Sequence, residues 1–144
     1  MYKIGKPRST KGLAVLCARL ADSKLAKDII ILNLEKLENA PSDFFVVCSC
    51  DSTTQVEAIV DSIYRHCTEF GLSKPRAEGI GVNEWVLLDF FDVVVHIMLK
   101  NTRNFYKLEK LWADGQFLQL NSNGEPKSVE FDKVKDLLKE NILD

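Results

Sequence analysis

Hydrophobic residues in the first fifty positions form one helical pattern followed by two extended runs. From Leu13 to Leu20 apolar residues recur every three or four positions, which predicts a first helix capped by Thr10. Residues 29–34 are a short β-branched run and residues 44–50 are a second apolar run. Both runs are typical of strands. The chain is therefore predicted to begin with a helix and two strands.

The clearest helix start in the sequence is at Ser52. Ser52 and Gln55 have the spacing of a capping box, in which the serine hydroxyl and the glutamine amide each satisfy a free backbone N–H. Gly71 suits the end of this helix. Between these two ends the apolar residues keep helical spacing: Val56, Ile59, Val60, Ile63, Cys67 and Phe70.

The middle of the chain predicts a loop followed by a β-hairpin. Residues 73–83 contain one proline and two glycines and should be mostly loop, with one short strand near Ala77. Residues 85–90 and 93–99 are rich in Val, Ile and Leu, and the short gap between them implies a hairpin.

Two further helices complete the pattern. Asn101 or Thr102 can cap a third helix. Its buried side is predicted to consist of Phe105, Leu108 and Trp112. A turn cluster at 121–126 precedes a last amphipathic helix. The order of elements predicts an α/β fold with a mixed β-sheet flanked by helices.

Charge and composition narrow the class of partner. The chain has 144 residues, 46% of them hydrophobic, and a net charge of −2. A domain that holds RNA mainly through phosphates carries a basic excess. Unless its charges segregate sharply in space, this chain should contact protein more than RNA, and its binding should weaken only modestly with salt.

The N-terminal region carries five basic residues before the first acid, Asp22. This arrangement faintly resembles an organelle transit peptide. The stretch from Leu13 to Leu20 fits better as the buried side of a helix, and no apolar run approaches the ~20 residues that span a bilayer. We expect a protein of the cytoplasm without a membrane segment.

The cysteines and histidines offer only a weak case for zinc. Cys48 and Cys50 share one face of a strand, and His66, Cys67 or His96 would have to complete a site. Neighbours on a helix point about 100° apart, so His66 and Cys67 do not easily reach one ion. The cysteines are better explained as buried thiols.

Two aspartates, Asp89 and Asp92, bracket the predicted hairpin turn. A pair of carboxylates can hold Mg²⁺. Aspartates are also common at turns, where they accept hydrogen bonds from nearby backbone N–H groups. The sequence has no glycine-rich phosphate loop beside them, which favours the turn interpretation.

Aromatic residues are concentrated in one part of the chain. Six of them fall within 28 positions: Trp85, Phe90, Phe91, Phe105, Tyr106 and Trp112. Some must belong to the core, but a turn containing Phe90 and Phe91 should leave a ring exposed. Exposed aromatics are common anchors of protein interfaces.

Several motifs follow one another in a specific order. They are Ser42-Asp43-Phe44-Phe45-Val46-Val47-Cys48, Ser49-x-x-Ser52, Glu78-Gly79, Trp85-Val86-Leu87-Leu88-Asp89, Asp92-Val93-Val94-Val95-His96 and Phe105-Tyr106-Lys107-Leu108-Glu109-Lys110-Leu111-Trp112. This succession resembles the ribosomal silencing factor (iojap-like) family over roughly residues 10–114. The resemblance defines a domain at 1–114 and a C-terminal extension at 115–144, expected to be a turn and a helix packed on the domain.

The resemblance implies a function and a set of residues. It implies a fold similar to nucleotidyltransferases, without catalysis or a cofactor. It also implies binding to the large ribosomal subunit, chiefly to its conserved fourteenth protein at the subunit-joining face, with limited RNA contact. The factor would block subunit joining sterically and repress translation. The motif residues expected to bind the partner are Trp85, Leu87, Asp89, Asp92, His96, Tyr106, Glu109 and Trp112.

The sequence departs from the family pattern at three places and leaves one rival function. Cys50 and Asp51 occupy the turn that usually reads Ser-Gly-Thr-Ser, Phe91 replaces a hairpin glycine, and Lys100-Asn101 replaces an acidic pair. Phe91 disfavours a tight turn with positive φ. The rival is a metal-dependent nucleotidyltransferase-like enzyme using Asp89 and Asp92. The sequence leaves open whether the protein forms a homodimer.

One face of a strand is expected to form the docking patch. Trp85, Leu87 and Asp89 lie on the same side of an alternating strand. A covered face would bury the Asp89 carboxylate, so we expect this part of the face to be open, with Tyr106 and Glu109 beside it.

Overall fold

The computed structural model describes residues 2–142, which form seven strands and five helices. The strands are β1 (Lys27–Asn33), β2 (Phe44–Cys50), β3 (Arg76–Glu78), β4 (Trp85–Asp89), β5 (Val93–Leu99), β6 (Gln116–Leu120) and β7 (Pro126–Ser128). The helices are α1 (Thr10–Ser23), α2 (Thr53–Phe70), α3 (Lys100–Tyr106), α4 (Leu108–Leu111) and α5 (Phe131–Ile142). The predicted α/β class, with a mixed sheet flanked by helices, is confirmed.

All seven strands belong to one sheet, in the order β3-β4-β5-β2-β1-β6-β7. The two central strands β2 and β5 are parallel, because the long helix α2 and the β3–β4 hairpin connect them. The other neighbouring strands run antiparallel. Short turns are sufficient to join most of them.

The sheet has a hydrophobic core on each side. The back face packs against α1 and α2 and contains Ile31, Phe44, Val46, Cys48, Val86, Leu88, Val93, Val95 and Ile97. The front face packs against the C-terminal helices and contains Ile30, Leu32, Phe45, Val47, Val94 and Met98. Because β2 and β5 are covered on both faces, they are apolar without alternation.

The helix starts of the N-terminal half follow the sequence closely. Ser52 caps α2 by accepting a hydrogen bond from the Gln55 backbone N–H at 3.1 Å. The Gln55 amide oxygen accepts from Asp51, one residue before the cap, at 2.8 Å. The α1 cap is Ser9 and not Thr10, since its hydroxyl accepts from the N–H of Gly12.

The C-terminal half differs from the prediction. No side chain caps α3, which begins at Lys100 directly after β5. Lys107, with φ 52°, separates α3 from α4. The predicted burial of Phe105 is wrong, because its side chain is 78% exposed. Leu108 and Trp112 do pack on the front-face core.

Strands β6 and β7 were not predicted. They add to the sheet beside β1, through pairing of Leu32 with Phe117 and of Leu118 with Ser128. The sheet therefore continues past residue 114 without a break. The division into residues 1–114 and 115–144 stays a prediction.

All four cysteines are buried and none forms a disulfide. Their interpretation as buried thiols is confirmed. Burial raises the pKa of the Cys17 thiol, which keeps it protonated at neutral pH.

Within residues 2–142 no helix has the length and apolar character needed to cross a bilayer.

Candidate functional site

An aromatic surface lies where β4 meets α3. We define it by four residues: Trp85, Leu87, Phe105 and Tyr106. Trp85 and Leu87 are half-buried and point to the front face, while Val86 and Leu88, which alternate with them on β4, fill the back-face core. Phe105 and Tyr106 are 78% and 55% exposed. The two exposed rings adjoin each other, and contiguous exposed apolar patches often mark binding surfaces.

The rings of this surface continue inward as one row. Phe105 lies 5.0 Å from Tyr106, and Tyr106 lies 4.8 Å from Trp85, measured between ring centroids. Trp85 in turn contacts His96 at 5.9 Å. Phe45 follows at 4.7 Å from His96, and the last ring, Trp112, lies 6.1 Å from Phe45. Such spacings are those of favourable aromatic pairs, so the exposed rings are supported by fixed ones.

A hydrogen bond fixes Trp85 on the sheet. Its indole N–H donates to Nδ1 of His96 at 3.1 Å. An indole N–H can only donate, so Nδ1 accepts and the imidazole proton is on Nε2. His96 is 4% exposed, and burial lowers its pKa to about 4, so the ring is neutral near pH 7. His96 is thus a neutral buried histidine that supports Trp85 from beneath, and its contact with a partner stays a prediction.

A buried ion pair fastens α3 and α4 to the sheet. Arg103 and Glu109 are each 1% exposed. The Arg103 Nε–H donates to Oε1 of Glu109 at 2.9 Å, and Nη2 lies 2.8 Å from the same oxygen without hydrogen-bond alignment. Nη1 donates to the Ser49 hydroxyl at 3.0 Å and to the backbone carbonyl of Asp28. Oε2 of Glu109 has no hydrogen-bond partner within the described residues.

The two aspartates form the β4–β5 turn. Oδ1 of Asp89 accepts from the Phe91 backbone N–H at 2.7 Å, and the Asp92 carbonyl accepts from the N–H groups of Asp43 and Phe44. The Asp89 contact is that of the turn interpretation, whereas the Asp92 contacts are made by its backbone carbonyl and not by its side chain. Among residues 2–142 no group of three or more His, Cys, Asp or Glu side chains is arranged to hold a metal ion.

Phe91 adopts the positive φ that the sequence disfavours. Its φ is 79° and its side chain is 84% exposed. A non-glycine residue in this region costs about 1–3 kcal/mol, and an exposed ring recovers little of that cost. The turn is therefore tight in spite of the substitution.

Phe91→Gly is expected to raise the free energy of unfolding by about 1 kcal/mol, since glycine adopts positive φ freely but adds entropy to the unfolded chain. Urea unfolding measures the change. Phe91→Ala is the control, because it removes the ring and keeps the strain. An equal gain in both variants would assign the effect to the exposed ring.

The structure brings together only some of the residues that were predicted to bind the partner. Trp85, Leu87 and Tyr106 meet at the aromatic surface. Asp89 and Asp92 lie at the other end of β4, about 13 Å along a five-residue strand. Glu109 lies in the interior, beneath the surface where a partner would contact it. Sequence reasoning missed Arg103 and the exposure of Phe105.

Comparisons with known proteins agree with these motifs. The family model described as "Ribosomal silencing factor during starvation" matches residues 7–141. The ribosomal silencing factor of Bacillus subtilis is 37% identical over 110 residues, covering 76% of this chain and 92% of that protein. A mouse protein named "Mitochondrial assembly of ribosomal large subunit protein 1" is 33% identical over 102 residues, covering 66% of this chain and 44% of that protein.

A solved structure shows the same fold. The crystal structure of a Chromobacterium violaceum protein superposes with a TM-score of 0.69 at 34% identity, covering 74% of this chain and 88% of that one. The bacterial relatives are named ribosomal silencing factors, a family of regulators and not of enzymes. The family match spans nearly the whole chain, and the chain therefore belongs to the ribosomal silencing factor family.

Proposed function

We propose that the protein binds the large ribosomal subunit through its aromatic surface and thereby represses translation in the cytoplasm. The observation that carries this proposal is the exposed end of the aromatic row, Phe105 and Tyr106 at the C-terminal end of α3, where the Tyr106 ring contacts Trp85 of the sheet. The family of the chain supports a ribosome-associated role. The mouse relative's name, which refers to the large subunit, supports the choice of subunit.

The proposed contact on the ribosome is the conserved fourteenth protein of the large subunit. Exposed aromatics of this kind act as anchors when they enter pockets of a partner. Trp85 is held by His96 and Tyr106 rests on Trp85, so little side-chain entropy is lost on docking. Pre-organisation of this kind favours tight binding by a small surface.

In this proposal, exposed carboxylates at the two ends of β4 help to attract and orient the partner. Asp92 is exposed at the far end of β4, and Glu84 directly precedes Trp85. Acidic groups at both ends of the strand suit a basic ribosomal protein, since complementary charges speed encounter and fix orientation. Glu109 is assigned no partner contact; it holds the helix that carries Tyr106.

The proposed mechanism is steric. A protein docked at the subunit-joining face occupies space that the small subunit needs, and no chemical step is required. The likeness to nucleotidyltransferases stays a prediction, as does the presence or absence of a homodimer. No contact in the described residues favours the enzyme alternative over the turn role of Asp89.

Co-sedimentation with separated ribosomal subunits tests the proposal. The protein is expected to pellet with large subunits and to remain in solution with small ones. Prior incubation with large subunits should also reduce formation of joined ribosomes in light scattering. Equal pelleting with both subunits, or with neither, contradicts the proposal. Pelleting with large subunits that leaves joining unchanged contradicts only the steric mechanism.

A further inference from the structure

A second surface, on the other side of the molecule, concentrates positive charge. The segment preceding α1 lies along that helix, and a groove of about 510 Å³ runs between them to the β6–β7 turn. We call it the basic groove and define it by its cations: Lys3, Lys6, Arg8, Lys11 and Arg19. It lies on the α1 side of the sheet, whereas the aromatic surface lies on the α3 side.

Specific contacts fix the shape of the groove. Arg19 donates from Nε to the Gly124 carbonyl at 2.8 Å, and its guanidinium lies 5.4 Å from the centroid of the Tyr2 ring. The Tyr2 hydroxyl donates to the carboxylate of Asp22. These contacts tie the N-terminal segment and the β6–β7 turn to α1. The groove is thus a formed feature of the fold.

Its charge is nearly uncompensated. The carboxylate that lines the groove is Glu125, which lies 3.7 Å from Arg19. Lys3, Lys6, Arg8 and Lys11 are exposed, and no ion pair to them is formed among the described residues. Five cations face one carboxylate here, in a chain whose net charge is −2. The charges of this protein therefore do segregate in space.

We propose that the basic groove binds the phosphate backbone of RNA. Exposed lysines and arginines that line a groove can bind successive phosphates, and an arginine guanidinium can bind one phosphate bidentately. The N-terminus of α1, with no acidic residue in its first turn, adds favourable dipoles at the same place. Val15 and Leu16, the large apolar residues that line the groove, are buried, which leaves no exposed large apolar side chain there to insert into a lipid surface.

This inference does not depend on the aromatic surface. A phosphate chain on the α1 side leaves Trp85 and Tyr106 free for a protein partner. The proposal also makes the expected salt dependence of binding more specific. Three or four phosphate contacts correspond to a loss of about 20- to 150-fold in RNA affinity between 50 and 200 mM salt, well below that of a protein making six to ten contacts.

The test measures binding of a fluorescein-labelled 20-nucleotide RNA hairpin by anisotropy at 50, 100 and 200 mM KCl. The full chain is compared with a variant carrying Lys3→Gln, Lys6→Gln, Arg8→Gln and Lys11→Gln. Arg19 is kept because it holds the fold together. The variant is expected to bind at least tenfold more weakly at 50 mM KCl. Its slope of log affinity against log salt should be shallower by about 3.

Two controls show whether a loss of RNA affinity arises from the groove itself, from the lower net positive charge or from misfolding. Lys36→Gln, Lys74→Gln, Lys110→Gln and Lys133→Gln together remove the same charge from exposed positions outside the groove and should leave most of the affinity. Lys3→Arg, Lys6→Arg and Lys11→Arg keep the charge and should keep RNA binding. An equal loss in the scattered variant overturns the proposal, as does the absence of RNA binding by the full chain at 50 mM KCl. Unchanged RNA binding by the groove variant, with lost binding to phosphatidylserine-containing vesicles, identifies a membrane surface instead and also overturns it.

Discussion

Replacing Glu109 by leucine is expected to lower the free energy of unfolding by about 3–5 kcal/mol. The substitution leaves the guanidinium of Arg103 buried at 1% exposure without its counter-charge. An uncompensated charge in the interior is among the most costly single changes a fold can undergo. The melting temperature should fall on the order of 10 °C.

A second variant shows whether the stability is lost because the Arg103 charge is uncompensated or because packing is lost. Replacing both members of the pair, Arg103→Met with Glu109→Leu, removes the charges together and should recover most of the lost stability. Lys110→Leu, an exposed neighbour, controls for the change of composition on α4. Urea unfolding of the parent, the single variants Glu109→Leu and Arg103→Met, and the double variant gives the coupling energy directly. A single Glu109→Leu variant that loses less than about 1 kcal/mol would show that the pair does not hold the helices.

Tyr106→Ala is expected to weaken binding to the large subunit about 30-fold, which corresponds to roughly 2 kcal/mol. Tyr106 is 55% exposed and its ring contacts that of Trp85 at an interplanar angle of 51°, so it can enter a partner's pocket while supported by a fixed ring. Its removal should lower stability little, because an exposed ring contributes little to the core. Trp85→Ala should also weaken binding at least tenfold.

Trp85→Ala tests docking less specifically than Tyr106→Ala, because it should affect stability as well as binding. The sequence presented Trp85 as an open anchor, but its indole N–H is the hydrogen-bond donor to the buried His96. Its loss should therefore lower the melting temperature as well as the affinity. Tyr64→Ala removes the same side chain from α2 on the opposite face and should bind normally. If Tyr106→Ala and Tyr64→Ala bind large subunits equally well, the aromatic surface is not the docking site.

The elements with strong local signals were predictable. Ser52 and Gln55 mark the start of α2, and the β-branched runs give the central strands, because both signals depend on neighbours in sequence. Strands β6 and β7 have no such signal. Two glutamines interrupt β6, and β7 is three residues long and begins with Pro126, so this region has the composition of a turn. Pairing with β1, more than eighty residues away, makes β6 a strand, and β7 pairs in turn with β6.

The candidate site was predictable only in part of its aromatic surface, since Phe105 was expected to be buried. The alternation along β4 correctly put Trp85 and Leu87 on one side of the strand. The position of Glu109 was not predictable, because its motif looks like an exposed helix face. Its burial depends on Arg103, and the place of Arg103 depends on Ser49, 54 residues earlier in the chain. Contacts at such separations leave no local pattern.

Both margins of the sheet are poor templates for another chain. The outermost strands, β3 and β7, have three residues each and extend about 10 Å. Arg76 and Glu78 put opposite charges on β3, and Pro126 removes a backbone donor from β7. Short, charged and proline-containing edges prevent strands of neighbouring molecules from continuing the sheet. At high concentration this protein should therefore resist fibre-like aggregation, even though its exposed aromatic rings favour contacts between molecules. Any stable self-association must use a face of the molecule and not an edge of the sheet.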